Sequence, residues 1–468
     1  MNTAISLDPA LLGRYDRPGP RYTSYPTAPQ FNAAFGTREL RAYAARSNAL
    51  PGKRPLSLYL HVPFCTSPCF YCGCNRVITR DRSRGERYAD DLLTEIELAA
   101  ALFDPGREVV QLHLGGGTPN FLGRETLERL LAGVGRAFRL SDAANRDFSI
   151  ELDPRSLPEP PAQYAGALAR LGFNRASLGV QDFDPDVQRA VNRMQSVEET
   201  LSLIDACRDQ GFRSINIDLI YGLPGQTTER FQRTLRTVIS ARPDRIAVYG
   251  YAHLPTLFKA QRRIDAGALP DAAERIALLR LAIEELSGVG YHYVGMDHFA
   301  LPDDELVQAQ ERGGLQRNFM GYTTHADCDL IGVGVSAISH IADSYNQNLR
   351  DLKAWKQALT EPRLPVWRGL ALTFDDRVRA AAIGELMCQG VIDTAALQQR
   401  YGIDFAAYFG DELRRLQTLA EDGLVRIAHG RIAATPAGRL LLRNIAMCFD
   451  RYLTAQPAAG VAPLSRAV

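Results

Sequence analysis

The sequence predicts an α/β chain whose parallel sheet is closed or partly closed into a barrel. Two observations carry this expectation. From Leu56 to about Ala300, β-rich runs recur between longer amphipathic stretches: LSLYLHV, VVQLHLGGG, FSIELDP, RASLGVQ, SINIDLIYGLP, RIAVYGYAHLP and YHYVGMDHF. Helix-like segments such as RYADDLLTEIELAAALF separate them, and strand, helix, strand at this spacing argues for parallel pairing. The runs look apolar without clean alternation, which suggests strands covered on both faces.

Before the barrel, residues 1–54 include GRYDRPGPRYTSYPT, rich in proline, glycine and tyrosine, and read as an irregular arm that covers the active site. The barrel is expected over 55–364. From 365 to 468 the pattern changes to helices and one hairpin, GLVRIAHGRIAATPAG, which suggests a mainly helical, winged-helix-like domain. A winged helix can bind DNA, but no strong basic stripe is present, and the 54 basic and 53 acidic residues nearly cancel. Nucleic acid is therefore not expected as a partner. MNTAISLDPALLGRY lacks the apolar run of a secretory signal, and LIGVGVSAISHIA is too short and glycine-rich to span a bilayer. No membrane span and a cytoplasmic location are expected.

Within this frame the unusual residues fall at strand ends. The second run ends in Gly115-Gly116-Gly117-Thr118-Pro119, the third at Glu151 and Asp153, and the fourth at Gln181. The fifth contains Asp218, and the sixth leads into Tyr251-Ala252-His253. In a (β/α) barrel the carboxyl ends of the strands form the active face. Singly each residue has a bland reading as a tight turn, a cap or an ion-pair member; on one rim they form a candidate site.

Four of the eight cysteines, Cys65, Cys69, Cys72 and Cys74, follow the first strand. The scattered Cys207, Cys328, Cys388 and Cys448 read as small buried hydrophobes. Structural zinc usually takes four ligands in two separated pairs, and no second pair lies downstream of Cys69-x-x-Cys72. An iron–sulfur cluster fits Cys65-x3-Cys69-x2-Cys72 better: three thiolates hold three irons of a 4Fe–4S cube and leave the fourth open.

Cys65-x3-Cys69-x-Tyr71-Cys72 resembles the signature of radical S-adenosylmethionine enzymes, and the following GGGTP agrees with it. PRYTSYPT, YLHVPFC, CGCN, HLGGGTP, GVQDF, VNRMQ, NIDLIYGLPGQT, YAHLPT, GMDHFA and GVSAIS stand in the order seen in the oxygen-independent coproporphyrinogen III oxidase family. The similarity runs from Arg21 to about Leu453.

The resemblance implies a partial (β/α) barrel of radical S-adenosylmethionine type. It also implies oxidative decarboxylation of two propionates of coproporphyrinogen III to vinyl groups in haem synthesis, giving protoporphyrinogen IX. It implies a 4Fe–4S cluster on Cys65, Cys69 and Cys72 and two S-adenosylmethionine molecules. Tyr59, Gly116, Glu151 and Ile338 would touch one of these. Tyr71, Gly117, Thr118, Gln181, Arg193, Asp218 and Ala252 would line the other. Cys74, His61 and Tyr59 are the catalytic candidates, with Cys74 outside the cluster and His61 handling a proton or orienting a neighbour. The implied partners are the porphyrinogen and a reduced flavodoxin- or ferredoxin-like donor, the chain itself being monomeric.

Arg21 and Arg76 are candidates for the substrate carboxylates, and PRYTSYPT for a lid. Met320 stands where some relatives carry glutamine, beside Phe319 as an apolar wall. A haem chaperone and a radical haem-modifying methyltransferase are the rival readings; the CGCN continuation and the arm separate the oxidase from the chaperone.

Overall fold

The structure, a computed structural model, describes residues 9–454; the outer ends of the expected arm and C-terminal domain, 1–8 and 455–468, lie outside the described residues. The barrel strands are β1 Leu56–Val62, β2 Glu108–Gly116, β3 Asp147–Leu152, β4 Arg175–Gln181, β5 Ser214–Tyr221 and β6 Arg245–Gly250. They neighbour one another in that order, and every pair is parallel. The seventh run is instead a hairpin, β7 His292–Gly295 and β8 His298–Ala300, with β8 antiparallel to β6.

On the far side of β1 the sheet continues through β9 Asp329–Val333, parallel to β1, then β10 Ile338–Ile341, β11 Ser344–Asn348 and β12 Val366–Ala371, all antiparallel. β7 and β12 end the strand order, so the barrel is partial. β12 also carries the sheet past the division expected at 364/365, because its residues pair with β11.

The strands alternate more cleanly than the sequence reading allowed. In β1, Leu56, Leu58, Leu60 and Val62 are buried in the main apolar core, while Tyr59 and His61 point the other way. The same period places Gln111, His113, Ser149, Ser177, Asn216 and Asp218 on the barrel's inner face. The apolar face packs under helices such as Ser83–Ala100 and Arg124–Ala137, and the inner face is polar. A sheet buried on both sides need not be apolar on both when its inner face serves a site.

The arm's proline- and tyrosine-rich stretch is irregular over residues 16–27, as expected, and helices Pro9–Tyr15 and Thr37–Asn48 flank it. Leu12, Tyr15, Tyr22 and Tyr25 share a core with Val378, Phe409 and Phe449 of the C-terminal unit. The Tyr22 hydroxyl donates to Asp450 at 2.9 Å, and the Tyr25 ring lies 5.9 Å from that of Tyr452. These tyrosines therefore seal the arm to the C-terminal unit instead of closing a lid.

That unit runs helix Phe374–Gln389, strand Val391–Asp393, helices Thr394–Tyr401, Phe405–Tyr408 and Gly410–Glu421, then strands Val425–Ala428 and Arg431–Ala434. The three strands form one small sheet, the order expected of a winged helix. Cys207, Cys388 and Cys448 are buried as expected, whereas Cys328 is half-buried. Among the described residues no helix is long and apolar enough to cross a membrane.

One buried ion pair ties arm, barrel and sheet tail together. Arg107 and Asp329, 1% and 2% exposed, lie 2.6 Å apart. The Ser47 hydroxyl and the Ala342 N–H also donate to Asp329. Removing one member of a buried pair leaves an uncompensated charge. Asp329→Ala should therefore lose about 3–5 kcal/mol of stability in chemical denaturation; a loss under about 1 kcal/mol would contradict this placement.

Candidate active site

The cysteine loop leaves the end of β1 with only a short parallel pair, Phe64–Cys65 with Val77–Ile78, so side chains and neighbouring turns satisfy the rest of its backbone. Phe70 N–H donates to the Val191 carbonyl at 2.9 Å. Asn192 donates to the Pro68 carbonyl at 2.7 Å. Arg76 donates to the carbonyls of Cys72 and Cys69 at 2.9 and 3.0 Å. Gln261 donates to the carbonyls of Tyr71 and Ala252 at 2.9 and 3.1 Å, tying the loop to the segment after β6.

Donors also converge on the sulfurs. Thr118 Oγ1 donates to Cys65 Sγ at 3.4 Å, and Cys74 N–H to Cys72 Sγ at 3.4 Å. Arg155 and Arg193 each reach Cys69 Sγ at 3.6 Å. Both guanidinium groups also pair with Asp153, at 2.6 and 3.5 Å. The hydrogen bond from the Cys74 thiol, then Arg76, draws the Cys72 thiol down to about 6 despite burial. The same bond raises Cys74 well above its ordinary value. Burial pushes Cys65 up to about 11 against the Thr118 hydrogen bond.

Close approach at the end of β2 makes this junction possible. Gly117 N–H donates to the Val62 carbonyl at 2.8 Å. Gly116 sits at φ +115°, and a Cβ there would fall 2.5 Å from the His61 ring. Gly116 N–H donates to Glu151 Oε2 at 2.9 Å, and His113 Nε2 lies 3.4 Å from Glu151 Oε1. Burial alone would raise Glu151, but His113 and the Gly116 N–H outweigh it and hold the carboxyl below its ordinary range. Gln181, a non-glycine at φ +70°, marks a strained strand end.

A cavity of about 230 Å³ results. It brings together Cys65, Cys69, Cys72, Cys74, Tyr71, Gly116, Gly117, Thr118, Glu151, Gln181, Arg193 and Asp218, all singled out from sequence. Tyr59, His61, Ala252 and Ile338 do not line it. His61 Nε2 faces the Asn75 carbonyl at 3.0 Å and so carries the proton. Nδ1 then accepts from the Tyr59 hydroxyl at 3.0 Å. Burial lowers the imidazole, keeping it neutral, and both nitrogens are engaged. Both contacts hold the ring between Tyr59 and the cysteine loop. Ile338 lies against Gly332, the β9 partner of Tyr59, which keeps it one strand back from the cavity.

Other expectations are corrected. Arg21 is ion-paired to Asp297 and stacked 5.3 Å over Tyr249, and Arg76 is spent on loop carbonyls, so neither is a free carboxylate receptor. None of the arm's described residues lines the cysteine cavity. Met320 lines a polar space inside the barrel, whereas Phe319 stands edge-on to Tyr345 at 5.9 Å. Arg155, Asn192 and Gln261 were missed. Arg155 follows Asp153, whose carboxylate caps the short 3₁₀ turn there, and Asn192 sits at φ +55°, where asparagine is enriched.

A partial parallel barrel with this three-cysteine loop defines a radical S-adenosylmethionine protein. The radical SAM superfamily matches residues 59–238, and the HemN C-terminal domain matches residues 372–441. Oxygen-independent coproporphyrinogen III oxidase of Pseudomonas aeruginosa is 49% identical over 97% of both chains. That of Escherichia coli strain K12 is 47% identical over 96% of each. The solved coproporphyrinogen III oxidase from Escherichia coli, described as a radical SAM enzyme, superposes with a TM-score of 0.90 at 46% identity, covering 96% of this chain and 99% of the other. The chain belongs to the oxygen-independent coproporphyrinogen III oxidase family.

Asp218 supplies a test of the cavity's electrostatics. Burial, opposed by the Asn216 hydrogen bond, raises its carboxyl from 3.8 to about 6. Between these values the folded chain keeps a proton that the unfolded chain has lost, so this group's contribution to stability falls as pH rises from about 4 to 6. Asp218→Asn should remove that dependence, its stability relative to the parent improving across this window in denaturation curves. A pH-independent difference would contradict the burial.

Proposed function

We propose that the chain decarboxylates two propionates of coproporphyrinogen III to vinyl groups without oxygen, giving protoporphyrinogen IX. The observation that carries this reading is the joint match of both ends and the barrel to oxidases of that name, around a cavity holding the three-cysteine loop. Cys65, Cys69 and Cys72 would hold a 4Fe–4S cluster, and the donor set fits one: guanidinium, hydroxyl and N–H groups already aim at the sulfurs. With S-adenosylmethionine bound, the cluster supplies a 5′-deoxyadenosyl radical.

The protein's own residues then bind, orient and shield. Glu151 and Asp218 accept hydrogen bonds from ribose or amino groups, Tyr71 stacks on a ring, and Arg193 offers charge to a carboxylate. Gly116, Gly117 and Thr118 give backbone contact for a ligand lying close, while Gln181 and the Ala252 carbonyl region bound a second S-adenosylmethionine. Tyr59, fixed by His61, and Ile338 back the first from behind. Cys74 stays outside the cluster, its thiol beside Cys72, where it serves hydrogen or electron transfer. At the substrate, a hydrogen atom would pass from the propionate β-carbon to the 5′-deoxyadenosyl radical, giving 5′-deoxyadenosine; the substrate radical would then give one electron to an acceptor and lose its carboxylate as carbon dioxide, leaving a vinyl group. A dry, enclosed site protects such a radical from side reactions.

A reduced flavodoxin- or ferredoxin-like protein is the proposed electron donor to a monomeric, cytoplasmic enzyme. The haem-chaperone and methyltransferase readings have no observation that favours them, since the CGCN loop and both chain ends fit the oxidases.

Two outcomes test the assignment. Alanine at Cys65, Cys69 or Cys72 should abolish the cluster's visible absorption, whereas Cys74→Ala should keep it and lose turnover; loss of absorption in Cys74→Ala contradicts the division of roles. Anaerobic protein given reductant, S-adenosylmethionine and coproporphyrinogen III should yield protoporphyrinogen, methionine and 5′-deoxyadenosine together. Cleavage of S-adenosylmethionine without any porphyrinogen product would contradict the substrate.

A further inference from the structure

The proposed substrate carries four carboxylates, yet the guanidinium groups near the cysteine cavity are already engaged within the protein or, for Arg193, assigned above to a cofactor carboxylate. Arg155 and Arg193 pair with Asp153, Arg76 holds two carbonyls, and Arg21 pairs with Asp297. A second cavity, of about 340 Å³, has the opposite character. It lies between the arm, the hairpin of strands Gln316–Asn318 and Gly321–Thr323, and helix Phe374–Gln389.

There, Arg317 Nε and Nη1 are buried without a hydrogen-bond partner, the guanidinium lying 4.7 Å over the Tyr322 ring. Arg54 and Arg400 line the same space and form no ion pair among the described residues. The lining carboxylate Asp343 is neutralised by Arg46 and Arg377 at 3.0 and 3.1 Å, leaving Asp327 and Glu385 against three uncompensated arginines. Burying a charged donor without an acceptor is costly, so such a group calls for an anion. One wall is flat and aromatic: Tyr345 stacks on His340 at 4.4 Å and meets Phe319 edge-on.

The hairpin separates this cavity from the barrel interior. Arg317 and Phe319 face the second cavity, while Met320 and Tyr322 line a polar space of about 170 Å³ inside the barrel. That inner space shares Glu151 and Asp218 with the cysteine cavity. The three spaces thus stand in series, with the hairpin as the partition.

Resting on the substrate reading above, we infer that the outer cavity is an access site that holds a tetrapyrrole by its carboxylates, with Arg317 as principal receptor and Tyr345 and Phe319 against the ring edge. No bond is made or broken there; it captures the polycarboxylate outside the radical chamber.

The test uses Arg317→Gln, with Arg317→Lys and Arg54→Gln beside it. Coproporphyrin III, the fluorescent oxidised macrocycle, is titrated into each full-length protein, and KM and kcat for coproporphyrinogen III are measured after reconstitution. Arg317→Gln should weaken binding and raise KM about tenfold with kcat little changed, as loss of one charge-assisted contact implies. Arg317→Lys should recover most of the loss, and Arg54→Gln should show a smaller one. Cluster absorption and melting temperature report that the variants are folded. Unchanged binding and KM in folded Arg317→Gln overturn the inference alone. An unsubstituted protein that cleaves S-adenosylmethionine but neither binds nor converts the macrocycle overturns the substrate reading and the inference together.

Discussion

The backbone at the end of β2 comes so near the end of β1 and the cysteine loop that side chains at Gly116 and Gly117 have no room. A Cβ at Gly117 would stand 2.7 Å from the Pro63 carbonyl carbon, and one at Gly116 would enter the His61 ring. This contact lets Gly117 extend the pairing with Val62, aims Gly116 N–H at Glu151, and places Thr118 on the Cys65 sulfur. Displacing it by an ångström would move a cysteine, the carboxylate below it and the hydroxyl beside it at once. Positioning on that scale is what radical chemistry needs, because the reacting atoms must meet before water does.

Around that contact the molecule separates its charges. Cations gather at the sulfurs, where thiolate charge must be offset, and each is anchored by Asp153 or by loop carbonyls so that it stays in place. Carboxylates line the barrel side of the cavity, with Glu151 held ionised by His113 and Asp218 drawn toward neutrality by burial. His61, neutral and doubly bonded, links the Tyr59 hydroxyl to the loop carbonyl of Asn75 and acts as a strut. The arrangement suits a cofactor pair with a positive sulfonium and a reducible cluster more than it suits hydrolytic chemistry.

Much of this was legible in the sequence because strand ends carry it. Six strand ends and one loop can be read off as runs followed by odd residues, and a parallel barrel obliges those ends to share a rim. The polar inner face is present in LSLYLHV and SINIDLIY, but reading these runs as apolar without clean alternation suggested burial on both sides and missed the period of two. What sequence did not reveal depends on long-range contacts. β9 lies next to β1 although hundreds of residues separate them, and β7 and β8 turn back where a seventh parallel strand was expected. Arg21 and Arg76 carried the right charge for a substrate role, yet Asp297 and two loop carbonyls, none of them predictable from spacing, had already claimed them. Tyr22 and Tyr25 likewise looked like a lid until Asp450 and Tyr452 came to meet them.

The central claim is that three cysteines, and no fourth side chain, anchor a cube whose remaining iron is open to S-adenosylmethionine. Mössbauer spectroscopy of the iron-57-reconstituted protein, recorded with and without S-adenosylmethionine, tests it most directly. The account predicts one distinct iron whose isomer shift rises when S-adenosylmethionine is added while the other three stay as they were. Four equivalent irons indifferent to S-adenosylmethionine, or no cube at all, would contradict it.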